Sequence, residues 1–121
     1  MRKVMLSVTV ILVVSVSAFF VYISALTDTA GKLDAQGKYE QEIQVLKKLV
    51  AINAYMGTIN IVPAMPHVYL MLGYAYSRLG RYSESKENLE KAIALYDKDE
   101  QYKNMAVVAR SVLENISRRA R

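Results

Sequence analysis

Apolar positions along this chain change their rhythm twice. From Val4 to Thr27 no residue is charged, and Val4, Val8, Val10, Ile11, Leu12, Val13, Val14, Val16, Phe19, Phe20 and Val21 follow one another with little polar interruption. Such a run predicts a helix apolar on all sides, about 36 Å long at about 1.5 Å per residue, enough for a hydrocarbon core of roughly 30 Å. Beyond Asp28 the pattern becomes amphipathic. From Pro66 onward Tyr69, Leu72, Gly73 and Tyr76 recur at the i, i+3, i+4, i+7 spacing of one helix face. Leu79-Gly80-Arg81-Tyr82 breaks that helix, and Ser85, Leu89, Ala92, Ile93 and Tyr96 mark a second stripe. A third stripe, Met105, Val108, Ala109, Val112, Leu113 and Ile116, lies within Glu100–Arg119, with Lys103, Arg110, Glu114 and Arg118 on the polar side. After residue 27 the only β-like stretch is Thr58–Val62, so the expected fold is all-α.

The stripes also repeat. An offset of 43 residues lays Gly37 on Gly80, Tyr39 on Tyr82, Leu46 on Leu89 and Leu49 on Ala92, with Leu26, Ala30 and Leu33 on Tyr69, Gly73 and Tyr76. The second copy resembles the tetratricopeptide repeat, a helix-turn-helix unit of roughly 34 residues. Tyr69 stands at its aromatic position, Leu72-Gly73 at its Leu-Gly pair, Tyr76 at the next aromatic, Gly80 and Tyr82 at its turn, and Leu89 and Ala92 on its second helix. Ser85 stands where alanine is usual and Asp97 where proline often ends the unit; the first copy departs at Thr29 and Leu49. The implied division is an N-terminal signal-anchor or transmembrane helix, 1–26, and a tetratricopeptide-like domain, 27–121. The domain comprises a degenerate repeat at 23–56 that begins inside the anchor helix, an insert at 57–65, a repeat at 66–99 and a capping helix at 100–119. Two repeats and a cap make a small stack, which is expected to lean on self-association, a partner or the membrane.

Charge refines the placement. Lys and Arg total 16 against 11 Asp and Glu, a net +5, but the cations alternate with acids except in the tail Arg118-Arg119-Ala120-Arg121. A nucleic-acid binder needs a sustained basic face, so none is expected. Arg2 and Lys3 precede the apolar run and Asp28 follows it. The positive-inside rule then places the N-terminus in the cytoplasm and the repeat domain outside, which in a bacterium is the periplasm. The rival reading is a secretory signal cleaved after Val16-Ser17-Ala18, releasing a soluble repeat protein; an organelle-surface targeting receptor would need the opposite topology. The apolar run continues past Ala18 through Phe19–Ile23 and Leu26, which favours the uncleaved anchor.

Chemistry is sparse. The chain has no cysteine and one histidine, His67, so neither a thiolate nor a histidine-pair metal site is available. Ser83-Glu84-Ser85-Lys86 has the Ser-x-x-Lys spacing of penicillin-interacting enzymes without their companion motifs. No enzyme activity, cofactor or metal is expected. The family resemblance implies instead a binding groove on first-helix residues between the packing positions: His67, Leu70, Met71, Tyr74, Ser77 and Arg78, extended on the cap by Gln101, Asn104, Val108 and Ser111. The lysine-asparagine clamp that some family members use for a C-terminal carboxylate is missing, with Thr27 and Gly31 at its first-repeat positions. The expected ligand is a membrane-associated protein or peptide, with the bilayer itself contacting residues 4–26.

Overall fold

The computed structural model describes residues 1–55 and 65–120. The expected insert at 57–65 therefore lies outside the described residues, apart from Met65. Five α-helices follow in order: α1 (Arg2–Ala35), α2 (Tyr39–Tyr55), α3 (Met65–Arg78), α4 (Tyr82–Tyr96) and α5 (Lys103–Arg119), with a 3₁₀ turn at Glu100–Tyr102 before α5. There is no strand among the described residues. Each helix packs on the next, so the chain forms a helical-repeat stack of hairpins α1/α2 and α3/α4 closed by α5.

The two hairpins turn in the same way. Gly37 and Gly80 both have positive φ, 71° and 73°, a conformation that costs glycine no Cβ clash. In each turn the glycine amide bonds back three residues, Gly37 N–H to Asp34 O at 3.0 Å and Gly80 N–H to Ser77 O at 3.1 Å. The following amide reaches one carbonyl further back, Lys38 N–H to Leu33 O and Arg81 N–H to Tyr76 O, both at 2.9 Å. These paired bonds satisfy the last carbonyls of α1 and α3 and reverse the chain within three residues.

Two apolar cores result, and α3 belongs to both. One gathers Ile23 and Ala30 of α1, Ile43, Leu46 and Leu49 of α2, and Val68, Leu72, Ala75 and Tyr76 of α3. The other gathers Leu70 of α3, Leu89, Ala92 and Tyr96 of α4, and Ala106, Ala109 and Ile116 of α5. Between α3 and α4 the approach is close: the Ser85 hydroxyl donates to the Gly73 carbonyl at 2.6 Å. A Cβ built on Gly73 would sit 2.6 Å from Leu89 Cγ. The first hairpin has Ala30, fully buried, in the register of Gly73.

α1 changes its surroundings along its length. Ile23, Leu26 and Ala30 join the core shared with α2, whereas Val4 through Val16 and Phe20 to Tyr22 carry large apolar side chains exposed to the surroundings. The helix is long and apolar enough to cross a membrane by length and composition, with a mean hydropathy of 2.7 over an 18-residue window of which nothing is covered by the rest of the chain. The Ser7 and Thr9 hydroxyls donate to Lys3 O and Met5 O, each at 2.8 Å, so these polar side chains are satisfied inside their own helix.

The cap segment 100–119 opens with the 3₁₀ turn Glu100–Tyr102, where Asp99 accepts from Gln101 N–H, and continues as α5 from Lys103. On α5, Val108 is 42% exposed while Ala106 and Ala109 are buried, so the buried stripe runs through the small residues that pack in the second core.

The close crossing predicts opposite outcomes for two glycine-to-alanine changes. Gly73→Ala should destabilise the chain by about 1–3 kcal/mol through overpacking against Leu89. Gly31→Ala, exposed in α1 with nothing within 4 Å of its new methyl, should stabilise by up to about 1 kcal/mol through helix propensity. Urea unfolding of both variants in mild detergent checks the pair.

Candidate binding groove on α3

The face of α3 that carries Tyr74 and Arg78 is flanked by two recesses. One, of about 290 Å³, is lined by Asp34, Tyr39, Glu42, Met71, Tyr74 and Arg78, and so lies where the end of α1, the start of α2 and α3 meet. The other, of about 650 Å³, lies between α3 and α5 and includes Tyr74, Ser77, Arg78, Tyr82, Asn115 and Arg119. Tyr74 and Arg78, one helical turn apart, form the wall common to both. Tyr74 is 36% exposed, and among the described residues Arg78 makes no ion pair. The opposite face of α3 borders a separate recess with Tyr69, Leu72 and Tyr76, where Lys47 and Lys91 are among the lining residues.

The residues expected in the groove do not all reach it. Met71, Tyr74, Ser77 and Arg78 line one or other recess. The Ser77 hydroxyl is already used, donating to Tyr74 O at 2.7 Å. Leu70 is only 6% exposed and belongs to the core with Tyr96, Ala106 and Ala109. The α5 helix covers it, so its assignment to an open groove is corrected. His67 is half-buried; its Nδ1 shares a 2.6 Å hydrogen bond with the Tyr96 hydroxyl, and its ring meets Tyr96 and Tyr102 edge-on. Burial, with smaller contributions from Tyr102 and Tyr74, pushes the Tyr96 phenol up to about 12, so it stays protonated and keeps that bond through neutral pH. On the cap, Val108 and its neighbours Gln101, Asn104 and Ser111 are exposed but line neither recess.

The repeat-defining residues do structural work around the groove. Tyr69, Leu72 and Tyr76 pack between hairpins, Gly73 lies against Leu89 within its own hairpin, and Leu89 and Ala92 are fully buried in the second core. Gly80 makes the turn and Tyr82 packs on the second core. Arg81 stacks on Tyr76 with 4.9 Å from guanidinium carbon to ring centroid and grips Glu84 through Nε and Nη2 at 2.8 and 2.7 Å. That pair holds the turn beside the groove, although partly exposed ion pairs add little stability on their own.

Glu42 is the residue that sequence reading passed over. It is 1% exposed, its Oε2 has no hydrogen-bond partner among the described residues, and it lines the smaller recess beside Asp34. Burial first, and then the neighbouring Asp34 carboxylate, push Glu42 up to about 7 from an ordinary 4.5. The signal was present in the 43-residue offset. Glu42 falls on Ser85, at a crossing where the second hairpin has room for a hydroxyl and no more.

Among the described residues no group of three or more His, Asp or Glu is arranged to hold a metal ion. Compared with known proteins, residues 66–99 match the family model of the tetratricopeptide repeat. No curated protein and no solved structure matches the chain. Repeats of this family are protein–protein interaction scaffolds and typically non-catalytic.

Glu42 gives the fold a definite pH response. Between 4.5 and about 7 the folded chain holds a proton that the unfolded chain has released, so stability falls as pH rises through that window and is flat beyond it. Glu42→Gln should therefore be more stable than wild type at pH 8 by on the order of 2–3 kcal/mol, with the difference vanishing by pH 4. Unfolding curves of the two proteins at both pH values measure this directly.

Proposed function

We propose, for a chain that carries a tetratricopeptide repeat at residues 66–99, that it is a membrane-tethered, non-enzymatic adaptor. Its α3 groove takes a protein or peptide close to the bilayer. The observation that carries the reading is the position of Tyr74 and Arg78, exposed one turn apart and shared by two adjoining recesses. Tyrosine and arginine are the residue types that concentrate binding energy when a partner desolvates them. A peptide crossing the ridge would contact both recesses and bury both side chains.

The tether is supported by α1. Its apolar half stands free of the folded stack, and the helix continues without a break into the residues that pack on α2. A product cut after Ala18 would instead begin with Phe19-Phe20-Val21-Tyr22, of which Phe20, Val21 and Tyr22 are exposed. Arg2 and Lys3 ahead of the span and Asp28 behind it favour a cytoplasmic N-terminus with the groove on the opposite side. Because no linker separates span from stack, the groove is held at a short distance from the lipid. Tethering raises the local concentration of any partner in the same membrane and offsets a modest intrinsic affinity.

The test is photo-cross-linking in intact membranes from a benzophenone side chain at Ser77. Wild type should capture a discrete membrane-associated partner, and Tyr74→Ala or Arg78→Glu should each reduce its yield about tenfold, as loss of a binding anchor worth roughly 1–2 kcal/mol does. Equal yields from all three proteins would remove the groove from the account.

A further inference from the structure

We propose that the recess between α1, α2 and α3 is a socket for a cationic side chain, lysine or arginine, presented by the partner peptide, with the Asp34 and Glu42 carboxyl groups as its counter-charges. This rests on the groove reading above and assigns the chemistry of what enters one end of it.

A buried carboxyl with an oxygen lacking any partner is costly; Glu42 lines the recess with Oε2 unpartnered among the described residues, and its protonated carboxyl has only the Asp34 carboxylate to bond to. The second carboxyl, Asp34, comes from the last turn of α1 and adds negative charge to the same wall. Tyr39 from α2 and Tyr74 from α3 supply aromatic walls, where a cation gains attraction from the ring faces. Met71 contributes an apolar surface suited to the methylene stem of a long basic side chain. Arg78, the cation on the rim, is exposed and pairs with neither carboxyl among the described residues.

Size and ligand number narrow the occupant. At about 290 Å³ the recess suits a single side chain and lies at the foot of the roughly 300–1,000 Å³ range of drug-sized sites. Two carboxyl groups without a third His, Asp or Glu do not make a metal site. The chain's net charge of +5 repels polycations overall, so affinity for one would have to come from a local site. The charged groups facing Glu42 are Asp34 from α1 and Arg78 from α3, with the Tyr39 and Tyr74 phenols beside them. Entry of an ammonium favours the ionised form of Glu42 and expels its proton, so binding strengthens as pH rises through neutrality.

The experiment uses the full chain in nonionic detergent micelles, with tetralysine as probe and tetra-Nε-acetyllysine as its neutral control. Tetralysine should bind about fivefold more tightly at pH 8 than at pH 6, and carboxyl ¹³C resonances should show the Glu42 midpoint falling by about one unit when it binds. Glu42→Gln and Asp34→Asn should each lower affinity about tenfold, while Asp28→Asn, an exposed acid elsewhere on α1, leaves it unchanged. Equal binding of the acetylated peptide, or equal losses from Glu42→Gln and Asp28→Asn, overturns the socket. So does an unchanged affinity in both socket variants. If the socket fails while Tyr74→Ala still abolishes cross-linking, the groove stands; if cross-linking ignores Tyr74→Ala, the groove reading falls whatever tetralysine does.

Discussion

The α3–α4 crossing at Gly73 is the constraint on which the stack depends. With hydrogen as its side chain, Gly73 lets Leu89 lie against the α3 backbone and brings the Ser85 hydroxyl to the Gly73 carbonyl at 2.6 Å. That close approach turns the opposite edges of α3 toward two cores, with Leu72, Ala75 and Tyr76 on one side and Leu70 on the other. The face left over carries Tyr74 and Arg78, the proposed groove. Exposed and packing positions are therefore interleaved on one short helix, and the spacing that buries one set exposes the other.

The first hairpin uses the same crossing with different chemistry. Ala30 keeps the approach close, but Glu42 stands where Ser85 stands in the second copy. A hydroxyl there completes its bonding with a carbonyl of the facing helix; a carboxyl is too large and too acidic to do so quietly. It is left beside Asp34 with an unpartnered oxygen and a proton retained to about pH 7. Its burial on the first turn of α2 overrides the favourable field of a helix N-terminus, which is why the shift runs upward.

Much of the stack was legible because its signals are local. The glycines at both turns, the stripe from Tyr69 to Tyr76 and the small residues on α4 each follow from backbone geometry and close packing, and the structure carries them as expected. The residues assigned to the candidate groove separate in the structure. Met71, Tyr74, Ser77 and Arg78 line recesses, but Leu70 is covered by α5, a contact across more than thirty residues of sequence that helix periodicity does not encode. Val108, which belongs both to the apolar stripe of the cap and to its groove-side positions, is exposed. Glu42 sits in the first turn of α2, where negative charge is favoured, and only its register against Ser85 distinguishes it in the sequence.

What unites these features is α1, which joins an apolar stretch long enough to cross a membrane to the first helix packed on the stack. The account stands or falls on that double role. With no native cysteine in the chain, single spin labels can be placed at Leu12→Cys and Thr29→Cys and their accessibility to oxygen and to a water-soluble nickel complex compared in membranes. The account predicts a label at 12 that is retained in the mature protein and reached by oxygen from the lipid, and a label at 29 reached by nickel from water. A label at 12 that is lost from the mature chain, or that nickel reaches as readily as it reaches 29, would contradict it.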